Sequence, residues 1–211
     1  MNYISAELQE TLANRAEKHY SDVMQYHNWQ HAQDVMASAA LLASKSINPE
    51  IVQNGPLLVI ASAWHDADFH LEGSGEFSTK EERSAELAVK SLPELSQEDK
   101  DLLYSGIIDT TVEKTEKDSL FGEAIHVADL GYFAADHEKF MDRLSLLRLE
   151  WGSPEWSTTI SRTRAFGAHV IEEVQKSIFE ILPEGEAVAW LKNIEGNLNY
   201  AQTAFDNGEL V

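Results

Sequence analysis

The sequence predicts an all-α protein of about nine helices, and three observations carry that prediction. Apolar residues recur at helical spacing through most of the chain, and no alternating pattern persists long enough for a strand. Helix-capping residues, Ser5, Asn28 and Ser96 among them, stand directly before those periodic runs. With 211 residues and 43% hydrophobic side chains, the chain has material for one domain with a substantial core.

The elements follow in order. Ser5 caps a helix through about Tyr20, with Leu8, Leu12 and Ala16 on one face. Asn28 caps the next, Trp29 to about Ser44, and places His31 in its first turn. A third runs from near Pro49 to Asp66 or beyond, kinked or restarted at Pro56. Gly73-Ser74-Gly75 marks an exposed loop, after which Ser78 or Thr79 caps a helix ending near Pro93. Ser96 opens a helix to about Asp109, and Leu120 to Phe133 forms the segment that bears Asp129. Later helices cover roughly His137 to Trp151, Glu155 to Leu182 and Gly185 to Phe205, with Pro183 separating the last two. No repeat, low-complexity tract or interdomain linker interrupts the series. The reading is a single domain over 1–211, its motif-bearing core about 20–151 and its C-terminal helices, about 155–205, packed on that core.

Composition excludes several functions. With no cysteine there are no disulfides or thiolate metal sites, so any metal is held by imidazole and carboxylate. Residues 1–10 carry acids and no apolar core, unlike a secretory signal. The longest strongly apolar run, Pro56 to Trp64, is far short of the roughly 20 residues of a membrane span, so a cytoplasmic protein is expected. Net charge is −20, from 16 basic and 36 acidic side chains. Such a surface repels nucleic-acid polymers, and it would repel a small phosphorylated substrate too. A bound cation and a few local Lys or Arg would have to reverse the field at a site.

The chemistry lies in His31, the doublet His65-Asp66 and the distant Asp129. Singly, each would be an ordinary buried polar residue satisfied by hydrogen bonds. Together they offer two imidazoles and two carboxylates, a set suited to Mn, Fe, Co, Ni, Zn or Mg. Such an ion polarises a phosphoryl group and lowers the pKa of its water.

Local sequence around these residues resembles the HD-domain metal-dependent phosphohydrolases. Tyr26-His27-Asn28-Trp29-Gln30-His31-Ala32-Gln33-Asp34-Val35 is similar to a run shared by cyclic-nucleotide phosphodiesterases and a group of small bacterial phosphohydrolases. Ile125-His126-Val127-Ala128-Asp129-Leu130 resembles the H-x-A-D-L segment of the phosphodiesterases. Lys80-Glu81-Glu82-Arg83-Ser84-Ala85 and Leu147-Arg148-Leu149-Glu150-Trp151 resemble the NEERSA and IRxEY elements of the bacterial group. The resemblance implies an HD-type helical bundle, with His31, His65, Asp66 and Asp129 as metal ligands. It implies that His27 protonates the leaving oxygen and that Glu81 serves catalysis near a second metal or its water shell; Arg83 would bind phosphate.

Departures shape the expectation. Where phosphodiesterases carry HDxDHxG, this chain has His65-Asp66-Ala67-Asp68-Phe69-His70, its histidine one residue late. Ile107 to Glu113 holds no histidine. One metal is therefore expected rather than two, and no counterpart of the purine-clamping glutamine region supports a cyclic-nucleotide substrate. The expected activity is hydrolysis of a small phosphate ester, a nucleotide included. The alternatives are a di-iron oxygenase on the same scaffold and a non-catalytic metal- or nucleotide-binding module.

The remaining polar and aromatic residues have plainer readings. Asp34 is either an orienter of the metal site or an exposed helix acid. His70 and His126 read as surface or core histidines, and Arg148 and Glu150 as partners in helix-surface ion pairs. Trp64, Trp151, Trp156 and Trp190 read as core.

Overall fold

The computed structural model describes residues 4–71, 77–111 and 119–210, and all regular structure among them is helical. Ten α-helices follow in order: α1 (Ala6–Asn14), α2 (Trp29–Lys45), α3 (Pro49–Gln53), α4 (Gly55–Trp64), α5 (Lys80–Ser91), α6 (Gln97–Ile108), α7 (Leu120–Asp129), α8 (His137–Glu150), α9 (Trp156–Ile181) and α10 (Glu184–Asp206). Short 3₁₀ turns cover Glu17–His19, Phe69–Leu71 and Leu130–Ala134. The loop expected at Gly73-Ser74-Gly75, and Val112 and Glu113, lie outside the described residues.

The centre is α4, whose sequence has no polar face. A helix apolar all round can only be stable when covered on every side, and Leu57 through Trp64 are all buried. Helices α1, α2, α6 and α7 pack around it. Trp64 is fully buried and donates its indole N–H to the Leu12 carbonyl at 3.0 Å, tying α4 to α1. Truncating such a side chain to Ala costs about 3–5 kcal/mol. On the other flank, α9 packs against α7 and α10, and α10 packs against α8 and the 3₁₀ turn after α7. Buried Asn197 of α10 donates from Nδ2 to the carbonyls of Phe133 and Ala135, both at 2.8 Å, and so fastens that turn.

Several boundaries differ from expectation. The first helix stops at Asn14, because Arg15 reaches out to the Ser91 carbonyl and the Glu94 carboxylate and the chain tightens to 3₁₀ winding by Glu17. Pro56 restarts a helix: α3 and α4 are separate, divided at Asn54, since proline has no N–H to continue the ladder. His65 is the last cap of α4 and Asp66 stands in the turn beyond it, so the doublet is not within a helix. Likewise α7 ends at Asp129, and Leu130 to Ala134 continues as 3₁₀. Among the described residues, no helix is long and apolar enough to cross a membrane.

Candidate metal centre

Three helix ends, of α2, α4 and α7, meet at the site. His31 enters from the first turn of α2, where Asn28 Oδ1 caps the helix by accepting from the N–H groups of Gln30 and His31 at 3.0 and 3.2 Å. His65 and Asp66 come from the end of α4, and Asp129 from the end of α7. The turn carrying Asp66 is closed by Asp68 in the left-handed region, at φ 60°. Aspartate tolerates that conformation better than most residues. The Asp68 N–H donates to the His19 carbonyl at 2.9 Å, and its carboxylate lies 3.3 Å from His19 Nδ1.

The four predicted ligands form a ring. His31 Nε2 lies 3.5 Å from Asp66 Oδ2 and 3.1 Å from Asp129 Oδ1. His65 Nε2 lies 3.2 Å and 3.4 Å from the same two oxygens. Metal–ligand bonds of about 2.0–2.2 Å place neighbouring donors roughly 3.0–3.5 Å apart, so the ring has the size of a coordination shell. Among the described residues, donor atoms of His31, His65 and Asp66 all lie within 4.8 Å of one another, and Asp129 approaches both imidazoles from the other side. Both Nε2 atoms are buried without a hydrogen-bond partner. His65 Nδ1–H donates to the Ser62 carbonyl at 2.8 Å, which leaves Nε2 as the atom facing the ring. The donor set and its orphaned nitrogens fit a divalent ion.

Without an ion, the four groups neutralise one another. Burial lowers the His31 and His65 pKa values, but the two carboxylates outweigh it and lift both, His65 to about 10. Burial raises Asp66 and Asp129, and the opposing imidazoles, with Lys80 on Asp66, hold both well below the usual carboxylate range. An ion entering the ring would have to displace those protons.

His27 stands apart from the ring. Its Nε2 is 4.0 Å from Asp66 Oδ2, while Nδ1 is bonded to Glu150 Oε1. Glu150 Oε2 also accepts the backbone N–H of Tyr26 at 2.9 Å and of His27 at 3.0 Å. Burial raises the Glu150 pKa, but the bonds from His27 and Tyr26 prevail and lower it, keeping the group a carboxylate. The imidazole is stacked on Phe69, centroids 3.8 Å apart and planes 8° from parallel. Glu150 is thus no helix-surface ion-pair partner, because the end of α8 lies against the loop before α2 and brings its carboxylate onto that loop's N–H groups.

Other predicted residues fall as follows. Glu81 is buried at the start of α5, with Oε1 3.1 Å from Lys80 Nζ. Lys80 itself sits 2.8 Å from Asp66 Oδ1. Arg83 lies over the Phe77 ring, 5.5 Å from its centroid, and is not on the wall of the cavity at the ring. Asp34 pairs with Lys139 at 3.0 Å and with Arg143, one helical turn along α2 from His31. His70 is exposed, whereas His126 is buried 3.6 Å from Glu173. Trp64 is core, but Trp151 is exposed at the cavity rim, because Gly152 and Ser153 turn the chain away after α8.

A cavity of about 410 Å³ opens beside the ring. His27, Asp66, Lys80 and Asp129 line one end, and Phe133, Leu147 and Phe166 with Thr163 and His126 line the other. Sequence reasoning missed Glu150 and Lys80 as members of the site. The acid within Leu147 to Trp151 was the signal for the first. Lysine standing where the bacterial group's NEERSA element has asparagine was the signal for the second.

No family model matches the chain, and no curated protein matches it. Solved structures do. The phosphodiesterase domain of the RhoPDE fusion protein from the choanoflagellate Salpingoeca rosetta superposes with a TM-score of 0.75 at 15% identity, covering 98% of this chain and 86% of that one. A second structure, of the phosphodiesterase domain of Salpingoeca rosetta rhodopsin phosphodiesterase, gives 0.72 at 16% identity, over 98% and 83%. LmjPDEB1 in complex with IBMX gives 0.66 at 16% identity, over 96% and 84%. The chain therefore has the helical fold of phosphodiesterase domains.

Proposed function

We propose that this protein is a metal-dependent phosphohydrolase that cleaves a small phosphate ester, nucleotides included, and that His31, His65, Asp66 and Asp129 hold one divalent ion. The single observation that carries the reading is the ring of four donors at 3.1–3.5 Å, with two buried Nε2 atoms lacking any other partner. An ion held there supplies Lewis acidity and a water acidified toward neutral pH. The shared fold with phosphodiesterase domains supports the same chemistry. A cavity of about 410 Å³ suits a small-molecule substrate.

In this reading His27 is the proton donor. Glu150 accepts from Nδ1–H, which turns Nε2 toward the ring. When the ester bond breaks, the Nε2 proton passes to the departing oxygen and His27 is left neutral, still bonded to Glu150. Phe69 keeps the ring plane fixed. Glu81 acts through Lys80, its nearest cation. Arg83, which lies over the Phe77 ring, stays the candidate for a phosphate contact.

The test is elemental analysis of the purified protein followed by a hydrolysis panel of phosphomonoesters, phosphodiesters and nucleotides with Mn, Co, Ni or Mg. Metal at one equivalent and turnover of a panel member are expected. A metal-loaded protein inert across the panel would overturn the hydrolase reading. Iron with oxygen consumption would install the oxygenase alternative.

A further inference from the structure

Asp66 faces two positive positions at once. Its Oδ2 belongs to the ring, between His31 and His65. Its Oδ1 accepts from Lys80 Nζ at 2.8 Å. A carboxylate used this way, one oxygen to each of two neighbouring cations, is how paired metal ions about 3.5–4 Å apart are commonly bridged. Here the second position holds an ammonium, and Glu81 Oε1 at 3.1 Å supplies its other anionic contact. Asp66 accepts one of the three ammonium N–H donors and Glu81 lies at ion-pair distance, so the ammonium keeps donor capacity for a ligand.

Local structure holds the lysine in place. Lys80 is the first residue of α5, whose N-cap Thr79 accepts from the Glu82 N–H. Its ammonium lies 5.0 Å from the centroid of Phe69, the ring that stacks on His27 from the same short 3₁₀ turn. One aromatic side chain therefore sets both the candidate acid and the lysine. The side chain is 24% exposed and lines the same cavity as His27, Asp66 and Asp129. A second metal ion in that position would have to expel the ammonium from between Asp66 and Glu81.

Charge explains why a fixed cation belongs there. The molecule carries a net −20, and three of its acids, Asp66, Asp129 and Glu81, stand at this site. A phosphate ester must enter against that field. Because Asp66 is shared with the ring, the ammonium is not fully offset by its acidic neighbours.

We infer that the Lys80 ammonium stands in place of a second metal ion and there binds a phosphoryl oxygen of the substrate, making the site a centre of one metal and one lysine. This rests on the phosphohydrolase reading of the ring.

The experiment reads binding without turnover. Wild type, Lys80→Gln and Lys80→Arg are saturated with Mn, desalted and assayed for metal per chain. Metal affinity and the affinity of the loaded proteins for inorganic phosphate are then measured by calorimetry. Wild type should hold one ion. Lys80→Gln should keep that ion, at equal or tighter affinity because a competing charge beside Asp66 is gone. It should bind phosphate roughly 10–100-fold more weakly, the worth of a charged hydrogen bond. Lys80→Arg should recover most of the loss. In wild type loaded with Zn, phosphate should also shift the Lys80 side-chain ¹⁵N resonance, a readout independent of how any variant folds. Two ions per wild-type chain, unchanged phosphate affinity in Lys80→Gln, or an unmoved Lys80 resonance would each overturn the inference and leave the ring reading intact. A Lys80→Gln variant that folds but loses its metal would reduce the lysine to a support for Asp66. A wild type that binds no metal would overturn both.

Discussion

His27 and His31, four residues apart, are given different tasks by their neighbours. His31 faces two carboxylate oxygens in the ring, whereas His27 is bound from behind by Glu150 and stands 4.0 Å from Asp66. His31→Ala should therefore lose the metal, while His27→Ala should keep it and lose about 10²–10⁴ in kcat. Elemental analysis beside steady-state kinetics separates the two, and equal metal loss in both would refute the division. Glu150→Gln keeps an oxygen for the two backbone N–H groups but removes the charge behind the imidazole. It should lower kcat by roughly 10–100-fold with metal content unchanged. The ring was legible in sequence because few residue types bind a hard cation, and a His-Asp doublet in an apolar stretch needs a reason. Glu150 was not, since 123 positions separate it from His27. Its role follows from where α8 ends, which helical periodicity does not show.

At the scale of elements, the ring depends on how closely α6 and α7 approach. Gly122 of α7 lies against the buried side chain of Asp109, and a Cβ there would fall 2.4 Å from the Asp109 Cβ. Asp129 is two turns further along the same helix. Gly122→Ala should force α7 outward and cost about 1–3 kcal/mol by overpacking. That corresponds to roughly 2–12 °C in Tm for a domain of this size. Because Asp129 travels with the helix, metal affinity should fall as well; a calorimetric titration that matches wild type would show that the ring tolerates the shift. Helix identity was readable from apolar spacing, most plainly in α4. The ends were not. The turn after Trp64 closes through Asp68 and the His19 carbonyl, a contact 49 residues distant that leaves no periodic mark. The position of Asp66 beyond α4, which frees its two oxygens for two cations, was hidden for that reason.

At the scale of the molecule, the net charge of −20 sets a dependence on salt opposite to that of enzymes that attract their substrates. An anionic ester is repelled at long range by the whole surface and attracted only near the ring, where Lys80 lies within 2.8 Å of Asp66. Screening acts on these two fields unequally. The Debye length falls from about 30 Å at 0.01 M to about 8 Å at 0.15 M ionic strength, so the distant repulsion is removed first and contacts of about 3 Å are weakened least. Over that range kcat/KM for an anionic substrate should rise, by about 2–10-fold where encounter limits the rate. The same screening relieves repulsion among surface acids, so Tm should climb in parallel. The measurement is a series in a salt whose anion does not coordinate metals, with metal content checked at each point. A fall in kcat/KM at constant metal content would mean that a local positive field reaches beyond the cavity and governs capture. A rise confined to Tm, with kcat/KM flat, would mean that long-range repulsion by the surface does not govern capture of the substrate.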